Sequence, residues 1–265
     1  MNNTPCYLCN SNNTRLVQGH TEPDKYMRSA CIIKGWEWYY CSGCGLYFQP
    51  NPLSFQELEE IYSHYRDKDM RGVTIEEEFD RIMAIIPQDS ENYYRYRWFG
   101  NHYEGRGRML DIGSGLGVWP YQIKTGLGFD IQCVEPNVDC AAFINDSLNI
   151  PCLSGYFYPE NYDDLFDVVS VVHVLEHMAD PEDLLVKARS VLRLHGKLFI
   201  EVPDSVQFSQ LPPEHDEFNS AHLFFFNVQT LATLVENAGF NVTDIHRVYH
   251  EGRDLSRILM LCNLS

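Results

Sequence analysis

The sequence predicts an α/β protein in which a small zinc-binding module precedes a doubly wound parallel sheet. Three observations predict this class: two C-x-x-C pairs within the first 50 residues, alternating strand and helix patterns after residue 105, and a glycine-rich turn where the first of those strands meets its helix. Alternating β and α units fold into parallel sheets with helices on both faces. We therefore expect a zinc-binding module at 1–50, a helical linker or lid at 51–104, and a sheet domain at 105–265.

Length and composition suit one sizeable domain with a small addition. The chain has 265 residues, and 45% of them are hydrophobic, which is enough for a well-packed core. The first 30 residues are polar, and a run of about 18 apolar residues occurs nowhere. We therefore expect a soluble, cytoplasmic protein without a membrane partner.

The charge of the chain is acidic and unevenly distributed. The formal net charge is -17, whereas residues 1–50 contain four Lys or Arg and three Asp or Glu side chains. Nearly all of the excess acid therefore lies after residue 50, where it repels a phosphodiester backbone. This distribution predicts that the protein has no nucleic-acid partner.

Cysteine spacing predicts a metal site near the amino terminus. Cys6 and Cys9 form one C-x-x-C pair, and Cys41 and Cys44 form a second. Each pair can place two thiolates on one side of a tight turn, and two such turns complete a tetrahedron around Zn²⁺. Four sulfur ligands leave no position for water, so we expect a structural zinc ion; the alternative is four unliganded thiols. The odd total of nine cysteines argues against a disulfide framework.

An aromatic segment predicts a helix just before the sheet domain. The stretch SENYYRYRWFGNHY at 90–103 is rich in Tyr and Trp. One interpretation is that this helix packs against the sheet. The other is that it covers a bound cofactor, in which case Tyr93, Arg95 or Arg97 would reach a carboxylate.

The stretch LDIGSGLG predicts a nucleoside-binding turn. A short apolar strand ends there with Asp111 and is followed by a helical pattern. Glycines occupy alternate positions of the turn: Gly113, Gly115 and Gly117. Missing side chains let a ligand approach the backbone, and the free amides of the helix start point toward that ligand. About 20 residues later a second strand ends in Glu135, which can accept hydrogen bonds from both hydroxyls of a ribose.

The glycine spacing does not fit a dinucleotide turn. The pattern G-x-G-x-x-G would need a glycine at Val118, whereas Gly117 comes one residue too early. Instead, an acid followed by glycines at alternate positions resembles motif I of the class I S-adenosylmethionine-dependent methyltransferases. The stretch LFDVVSVVHVLEHMADPEDLLVKARSVLRLHGKLFIEVPD at 165–204 extends this resemblance.

The resemblance implies a Rossmann-like, seven-stranded sheet with an antiparallel final strand, and it implies S-adenosylmethionine as the cofactor. Ligands of such sheets bind beyond the carboxyl ends of the strands. Where the family often has an acid that holds the adenine, the sequence offers Tyr156 and Phe157 for stacking. The residues that we expect to contact the cofactor are Tyr93, Asp111, Gly113, Gly115, Gly117, Glu135, Pro136, Tyr156, Phe157 and His173.

A second resemblance covers the front of the chain. The stretch WYYCSGCGLYFQPNPLSFQELEEIYSHYRD at 38–67 is similar to the zinc-binding amino-terminal domain of bacterial methyltransferases that act on sugars. In the sugar C-methyltransferases a histidine followed by aromatic residues acts as a base, and SAHLFFFNVQT places His222 at that position. The resemblance therefore implies a sugar or sugar nucleotide as the acceptor.

Two histidines are candidates for removing a proton from the acceptor, because the reference pKa of histidine, about 6.5, lies near working pH. His222 is the first choice and His177 the second, although either could be a packed or cleft-shaping side chain. As an alternative, His177 could join His173 and Glu176 around a divalent ion. Polar residues after a proline-rich bend could line an acceptor-binding loop or be solvated: His215, Asp216, Glu217 and Asn219.

Together these patterns predict an enzyme, an S-adenosylmethionine-dependent methyltransferase that methylates oxygen or carbon of a small molecule. The preferred acceptor is a sugar or sugar nucleotide in polysaccharide or secondary-metabolite biosynthesis. The alternative is a catalytically silent scaffold or sensor that binds S-adenosylmethionine, since a fold does not guarantee activity. A third hypothesis, zinc-guided methylation of nucleic acid, is disfavoured by the acidic charge.

Overall fold

Two β-sheets and their covering helices organise the chain in the computed structural model, which describes residues 4–66, 68–212, 215, 217–249 and 256–265. The four-stranded sheet contains β1 (Thr14–His20), β2 (Trp36–Cys41), β3 (Tyr47–Phe48) and β9 (Phe224–Phe225). The seven-stranded sheet contains β4 (Arg108–Ile112), β5 (Asp130–Glu135), β6 (Cys152–Ser154), β7 (Phe166–Val172), β8 (Leu192–Pro203), β10 (Phe240–Val248) and β11 (Arg257–Leu264). The helices are α1 (Lys25–Ser29), α2 (Phe55–His64), α3 (Lys68–Arg71), α4 (Ile75–Met83), α5 (Glu91–His102), α6 (Val118–Leu127), α7 (Val138–Asp146), α8 (Pro181–Ser190) and α9 (Val228–Asn237).

Local sequence explains where several helices begin. The hydroxyls of Ser54 and Thr74 each accept a hydrogen bond from the amide three residues later, which starts α2 and α4 with complete capping boxes. By contrast, α6 begins directly after Gly117 without a side-chain cap, so its first amides stay available to a ligand. Within the described part of the chain, no helix is long and apolar enough to cross a membrane.

The seven-stranded sheet is doubly wound around β4. The strand order is β10-β11-β8-β7-β4-β5-β6; β4 to β8 are parallel, and β11 is antiparallel to both of its neighbours. From β4 the chain builds outward to β5 and β6, and then returns to the other side to form β7 and β8. The predicted Rossmann-like α/β class with an antiparallel final strand is confirmed. Ligands of such sheets bind where the order reverses, here between β4 and β7.

Apolar side chains cover both faces of the large sheet. This burial explains why β7 is mostly apolar, with the sequence FDVVSVV, since a central parallel strand has no solvent-exposed face. On one face, the rings of Phe99 and Trp98 in α5 lie 5.3 and 6.0 Å from the ring of Phe199 in β8. Of the two interpretations of this aromatic helix, the structure supports packing against the sheet.

The amino-terminal sheet takes its fourth strand from far along the chain. β9 pairs antiparallel with β3, so that Phe224 lies opposite Phe48 and Phe225 lies opposite Tyr47. Trp38 of β2 stacks on Phe225 with ring centroids 4.5 Å apart. The amino-terminal module and the large sheet domain are therefore joined by backbone hydrogen bonds as well as by side-chain packing.

Candidate active site

The glycine turn lies between β4 and α6, where the strand order of the sheet reverses. The backbone φ angles of Gly113, Gly115 and Gly117 are 73°, 54° and 76°, which is the left-handed region. A Cβ added at Gly113 would lie 2.5 Å from Cγ2 of Val174. At Gly117 it would lie 2.7 Å from Cδ1 of Leu148. Backbone conformation and close contacts therefore both require glycine at these two positions.

Glu135 closes the turn at the end of β5. The residue is 2% exposed, and its carboxylate accepts hydrogen bonds from the amides of Gly115, at 2.7 Å, and Asn137, at 2.9 Å. Burial raises the pKa of Glu135, and the two amide donors act against that rise. Each carboxylate oxygen keeps a further lone pair, so Glu135 can accept from ligand hydroxyls while it holds the turn.

One cleft of about 750 Å³ brings most of the predicted site residues together. Its volume lies in the usual range for small-molecule sites, about 300–1,000 Å³. Six of the ten predicted cofactor residues line it: Gly113, Glu135, Pro136, Tyr156, Phe157 and His173. Both candidate catalytic histidines, His177 and His222, line the same cleft together with Glu217 and Asn219.

Among the described residues, the polar partners of the His222 ring all lie at Nδ1 and none lies at Nε2. Its Nδ1 lies 2.9 Å from the backbone oxygen of Glu217 and 3.3 Å from the side-chain nitrogen of Asn219. The carbonyl oxygen is the nearer partner and can only accept, which assigns the hydrogen to Nδ1. In the neutral ring Nε2 is then an unprotonated acceptor. The surrounding loop is shaped by Asn219, whose side-chain oxygen accepts hydrogen bonds from the amides of Ala221 and His222.

His177 has the same tautomer in a different environment. Its Nδ1 lies 3.0 Å from the carbonyl oxygen of Ala221 and must donate to it, which leaves Nε2 as an acceptor. The ring centroids of His177 and His222 are 4.7 Å apart. Burial and the neighbouring His222 lower the pKa of His177 to about 4. His177 is therefore neutral near pH 7 and is a weak base.

Sequence comparison decides the family. A family described as a methyltransferase domain matches residues 63–245, which is more than half of the chain. The chain belongs to this methyltransferase family.

Two curated methyltransferases match parts of the chain. A probable S-adenosylmethionine-dependent methyltransferase of Mycolicibacterium smegmatis is 33% identical over 84 residues, which cover 32% of this chain and 32% of the relative. An uncharacterized methyltransferase of Staphylococcus carnosus is 28% identical over 96 residues, which cover 36% of this chain and 46% of the relative. The match therefore spans about a third of the first relative and less than half of the second.

A solved methyltransferase shares the fold along nearly the whole chain. It is the 1,6-didemethyltoxoflavin-N1-methyltransferase of Burkholderia thailandensis with bound 1,6-didemethyltoxoflavin and S-adenosylhomocysteine. The TM-score is 0.59 at 14% identity, and the alignment covers 94% of this chain and 100% of that one. At this identity the similarity establishes the fold alone.

A charge network lies at the wall of the methyltransferase cleft. Glu201 of β8 accepts two hydrogen bonds from Arg95 of α5, at 2.5 and 2.6 Å. His173 lies with Nε2 3.0 Å from Glu201 and with Nδ1 3.1 Å from Glu176. Burial disfavours the charged form of His173, but the two carboxylates outweigh it and raise the pKa to about 9. The carboxylate that Arg95 contacts is therefore the side chain of Glu201, which belongs to the chain itself.

The same network bears on the alternative that His173, Glu176 and His177 bind a divalent ion. Among the described residues, the only group of three or more His, Cys, Asp or Glu side chains whose ligand atoms all lie within 4.8 Å consists of four cysteines. Both ring nitrogens of His173 are bound to carboxylates. The structure thus gives His173, Glu176 and His177 no common ion position and favours an ion-pair network instead.

Four of the predicted cofactor residues do not line the cleft: Tyr93, Asp111, Gly115 and Gly117. Asp111 is buried in β4, where it accepts a hydrogen bond from the hydroxyl of Ser170 at 2.6 Å, and burial raises its pKa to about 6. Tyr93 accepts a hydrogen bond from Arg97 on the surface of α5, at 3.0 Å. Direct contact of these four residues with the cofactor stays a prediction.

Aromatic side chains at the end of α2 also line the cleft, and sequence reasoning did not assign them to the site. Tyr62 and Tyr65 belong to its wall. Asn137, which directly follows Glu135 and Pro136 of the cleft wall, holds this segment in place. Its side-chain nitrogen donates to the carbonyls of Tyr62, at 3.3 Å, and Ser63, at 3.0 Å. In the sequence, both tyrosines continue a helical stripe with Leu58 and Ile61, but a stripe does not reveal which surface it covers.

The predicted acceptor-binding loop is placed only in part. Glu217 and Asn219 line the cleft. His215 turns toward the loop, where its Nδ1 accepts a hydrogen bond from the amide of Glu217 at 3.3 Å. Asp216 lies outside the described residues.

The four paired cysteines converge in the amino-terminal module. The sulfur atoms of Cys6 and Cys44 are 3.6 Å apart, and so are those of Cys9 and Cys41. A tetrahedron with zinc–sulfur bonds of about 2.3 Å has sulfur–sulfur edges of about 3.8 Å, so the cluster fits a zinc ion. A disulfide bond, at about 2.05 Å, would be far shorter.

Proposed function

We propose that this chain is an S-adenosylmethionine-dependent methyltransferase whose acceptor is a small molecule, with sugars and sugar nucleotides as the leading class. The observation that carries the proposal is the shared cleft, which Glu135 and Gly113 line together with His177 and His222. Methyl transfer needs cofactor and acceptor side by side. One cleft with a nucleoside-binding wall and two open imidazole nitrogens suits that requirement.

The residues of the cleft that we assign to the cofactor contact different parts of it. We propose that Glu135 accepts the ribose hydroxyls and that Tyr156 and Phe157 pack on the adenine, since all three line the cleft. Asp111 lies in β4 just before the turn and accepts a hydrogen bond from Ser170 of β7, which holds the two strands together below the turn. This arrangement leaves the amides at the start of α6 for the polar parts of the cofactor.

The chemistry assigns a base to the acceptor side. S-adenosylmethionine supplies an electrophilic methyl group on a sulfonium, and the thioether that leaves needs no acid. The protein must align the acceptor and, for a hydroxyl or an activated carbon, remove its proton. We propose Nε2 of His222 for this step, because Nδ1 is held on a carbonyl. The carboxylate of Glu217, 3.4 Å from Nδ1, stabilises the imidazolium that forms.

His177 suits a different task. With its pKa lowered to about 4, it does not keep a proton taken from a hydroxyl near pH 7. Its Nε2 can still accept a hydrogen bond and so orient the acceptor beside His222.

Unsatisfied carboxylate oxygens support a hydroxyl-rich acceptor. Within the described structure, one oxygen of Glu176 is buried and makes no hydrogen bond, and the buried oxygen of Glu217 has only the 3.4 Å contact with Nδ1 of His222; both residues line the cleft. Buried acceptors of this kind favour a ligand that donates hydrogen bonds, as sugar hydroxyls do. The resemblance of residues 38–67 to the zinc-binding domain of sugar methyltransferases supports the same class.

We also propose that one structural zinc ion binds the four paired cysteines, whose spacing fits the metal. None of the nine cysteines, all of which are described, forms a disulfide bond in the structure. Free thiols persist in reducing compartments, which favours a cytoplasmic location.

Calorimetry with S-adenosylhomocysteine tests the cofactor assignment. The wild-type chain should bind it, and a failure to bind would contradict the whole proposal. The chain should then release S-adenosylhomocysteine from S-adenosylmethionine with members of a panel of nucleoside diphosphate sugars. Binding without turnover on any acceptor would favour the silent scaffold.

Substitution of the base tests the mechanism. His222→Ala should bind S-adenosylhomocysteine as the wild type does and lose about 100-fold or more in turnover, the usual contribution of a general base. His195→Ala is the matched control, because His195 is exposed on β8. Normal turnover of His222→Ala would remove His222 from the base role.

A further inference from the structure

The loop that contains His222 is held by the amino-terminal module as well as by the sheet domain. We call residues 217–223 the acceptor loop. The backbone amide of Gln49 donates to the carbonyl of Leu223 at 2.9 Å and so extends the pairing of β3 with β9 into this loop. The side chain of Gln49, which is 4% exposed, reaches further along the same loop.

The side-chain nitrogen of Gln49 lies among three backbone oxygens. They belong to His222, at 2.5 Å, Ser220, at 3.2 Å, and Asn219, at 3.3 Å. Carbonyl oxygens can only accept, so this end of the amide is its nitrogen, and its two hydrogens are shared among them. One buried side chain therefore fixes the backbone on which the His222 ring is mounted.

Asp24 provides a second connection from the module. Its carboxylate accepts hydrogen bonds from the backbone amide of Ser220, at 2.7 Å, and from the Ser220 hydroxyl, at 2.9 Å. In the sequence Asp24 lies between the two cysteine pairs, and Gln49 follows the second pair. Closure of the module by its cysteines therefore sets the positions of both residues relative to the loop.

The acceptor loop in turn sets the tautomers of both histidines. The carbonyl of Glu217 holds Nδ1 of His222, and the carbonyl of Ala221 holds Nδ1 of His177. Each imidazole keeps Nε2 as an unprotonated acceptor only while its carbonyl partner stays in place. A base works efficiently when such supporting contacts hold it in the productive orientation.

We infer that the amino-terminal module is a positioning device for the acceptor side of the cleft, and that Gln49 is its positioning residue. Gln49 keeps the acceptor loop in the conformation that presents Nε2 of both histidines, and zinc binding keeps Gln49 in register with the loop. The inference rests on the proposed function, in which these histidines face the acceptor.

Gln49→Glu tests the inference. An ionised carboxylate keeps the shape of the side chain but has no hydrogen to donate, and it repels three carbonyl oxygens. In the wild type, nitrogen-15 spectra of labelled histidines should show His177 and His222 protonated on Nδ1. In Gln49→Glu, at least one of them should shift toward the Nε2-protonated form. Amide hydrogen exchange of residues 218–226 should accelerate about 10-fold or more, which corresponds to about 1.4 kcal/mol.

Two readouts should stay constant in Gln49→Glu if its role is positioning. Affinity for S-adenosylhomocysteine and zinc content should remain within about 2-fold of the wild type, because Gln49 belongs neither to the glycine turn nor to the cysteine pairs. Gln229→Glu, an exposed site on α9, is the matched control and should change none of the readouts. Removal of zinc from the wild type with a chelator should accelerate exchange in residues 218–226.

Unchanged tautomers and unchanged exchange in Gln49→Glu would overturn the inference, and so would zinc removal without effect on residues 218–226. If Gln49→Glu does not fold, Gln49→Asn keeps the amide but shortens its reach, and it should accelerate the same exchange. The exchange and tautomer measurements need no cofactor. A wild-type chain that fails to bind S-adenosylhomocysteine would therefore contradict the proposed function and still leave the inference decided.

Discussion

At the scale of single residues, Glu135 connects three parts of the site. Its carboxylate accepts the amides of Gly115 and Asn137, so it holds the glycine turn against the start of α7. Asn137 in turn caps α7 and binds the backbone of Tyr62 at the end of α2. The turn, the carboxylate and the helix that covers the cleft are therefore linked by successive hydrogen bonds.

We expect Glu135→Gln to weaken the binding of S-adenosylhomocysteine by about 10- to 100-fold. A neutral amide loses charge-assisted hydrogen bonds to the ribose, which are worth about 1.5–3 kcal/mol. Calorimetry measures the change, and Glu104→Gln serves as control because Glu104 is exposed beyond α5. An unchanged affinity would show that the ribose binds elsewhere.

His173 makes the stability of the chain depend on pH. Its pKa rises from 6.5 to about 9 on folding, so its contribution is fully present below about pH 6.5 and is lost as the pH rises through 9. One pKa unit is worth about 1.4 kcal/mol. Screening at a side chain that is 30% exposed reduces the total to about 2 kcal/mol.

Urea unfolding at about pH 6.5 and about pH 9.5 should show this fall in the free energy of unfolding. His173→Gln should remove this part of the pH dependence. The same slope in variant and wild type would assign the dependence to other groups.

At the scale of elements, two glycines with the same backbone angle separate strain from packing. Gly117 and Gly72 both have φ 76°. A Cβ at Gly117 would lie 2.7 Å from Leu148 and 2.8 Å from Ile144, whereas at Gly72 no heavy atom of the described chain lies within 4 Å. The difference between alanine variants at these positions isolates the contact of the glycine turn with Ile144 in α7 and Leu148 just after it.

We expect Gly72→Ala to cost about 1–2 kcal/mol through backbone strain alone. Gly117→Ala adds a steric clash to the same strain, for a total of about 2–5 kcal/mol. Urea unfolding measures both values. Equal losses would mean that the Gly117 contacts relax without cost.

Sequence alone predicted the elements with local patterns and missed those that depend on distant contacts. The glycine turn and Glu135 follow from strand and helix periodicity, and the structure confirms the fold around them. Which helix covers the cleft did not follow. α5 is held against the sheet by the pair Arg95–Glu201, 106 residues apart, and α2 is held over the cleft by Asn137. No local pattern encodes such partners.

At the scale of the whole molecule, backbone pairing and a side-chain hydrogen bond join the module to the sheet domain. β9 pairs with β3, and β9 is in turn joined to the large sheet, because Asp204 directly after β8 forms a bridge with Phe226 directly after β9. The hydroxyl of Tyr7 donates to Asp180, the residue that caps α8, at 2.8 Å. Loss of the proposed zinc ion should therefore destabilise the whole chain and not the module alone.

We expect the purified chain to contain about one zinc ion and Cys9→Ser to lose it, because a thiolate ligand is removed. The midpoint of thermal unfolding should fall by about 5 °C or more in this variant. Cys31→Ser is the control, since Cys31 is exposed and outside the two pairs. A zinc-free wild type with the same stability would contradict the zinc proposal.

The pairing of β3 with β9 also has a consequence for synthesis on the ribosome. Residues 47–48 emerge long before residues 224–225, because all five parallel strands of the large sheet are translated between them. Until then the outer edge of β3 has unpaired backbone groups, and such edges recruit other chains. The nascent polypeptide therefore keeps this edge exposed during most of translation, and chaperone protection matters until residues 224–225 pair with it.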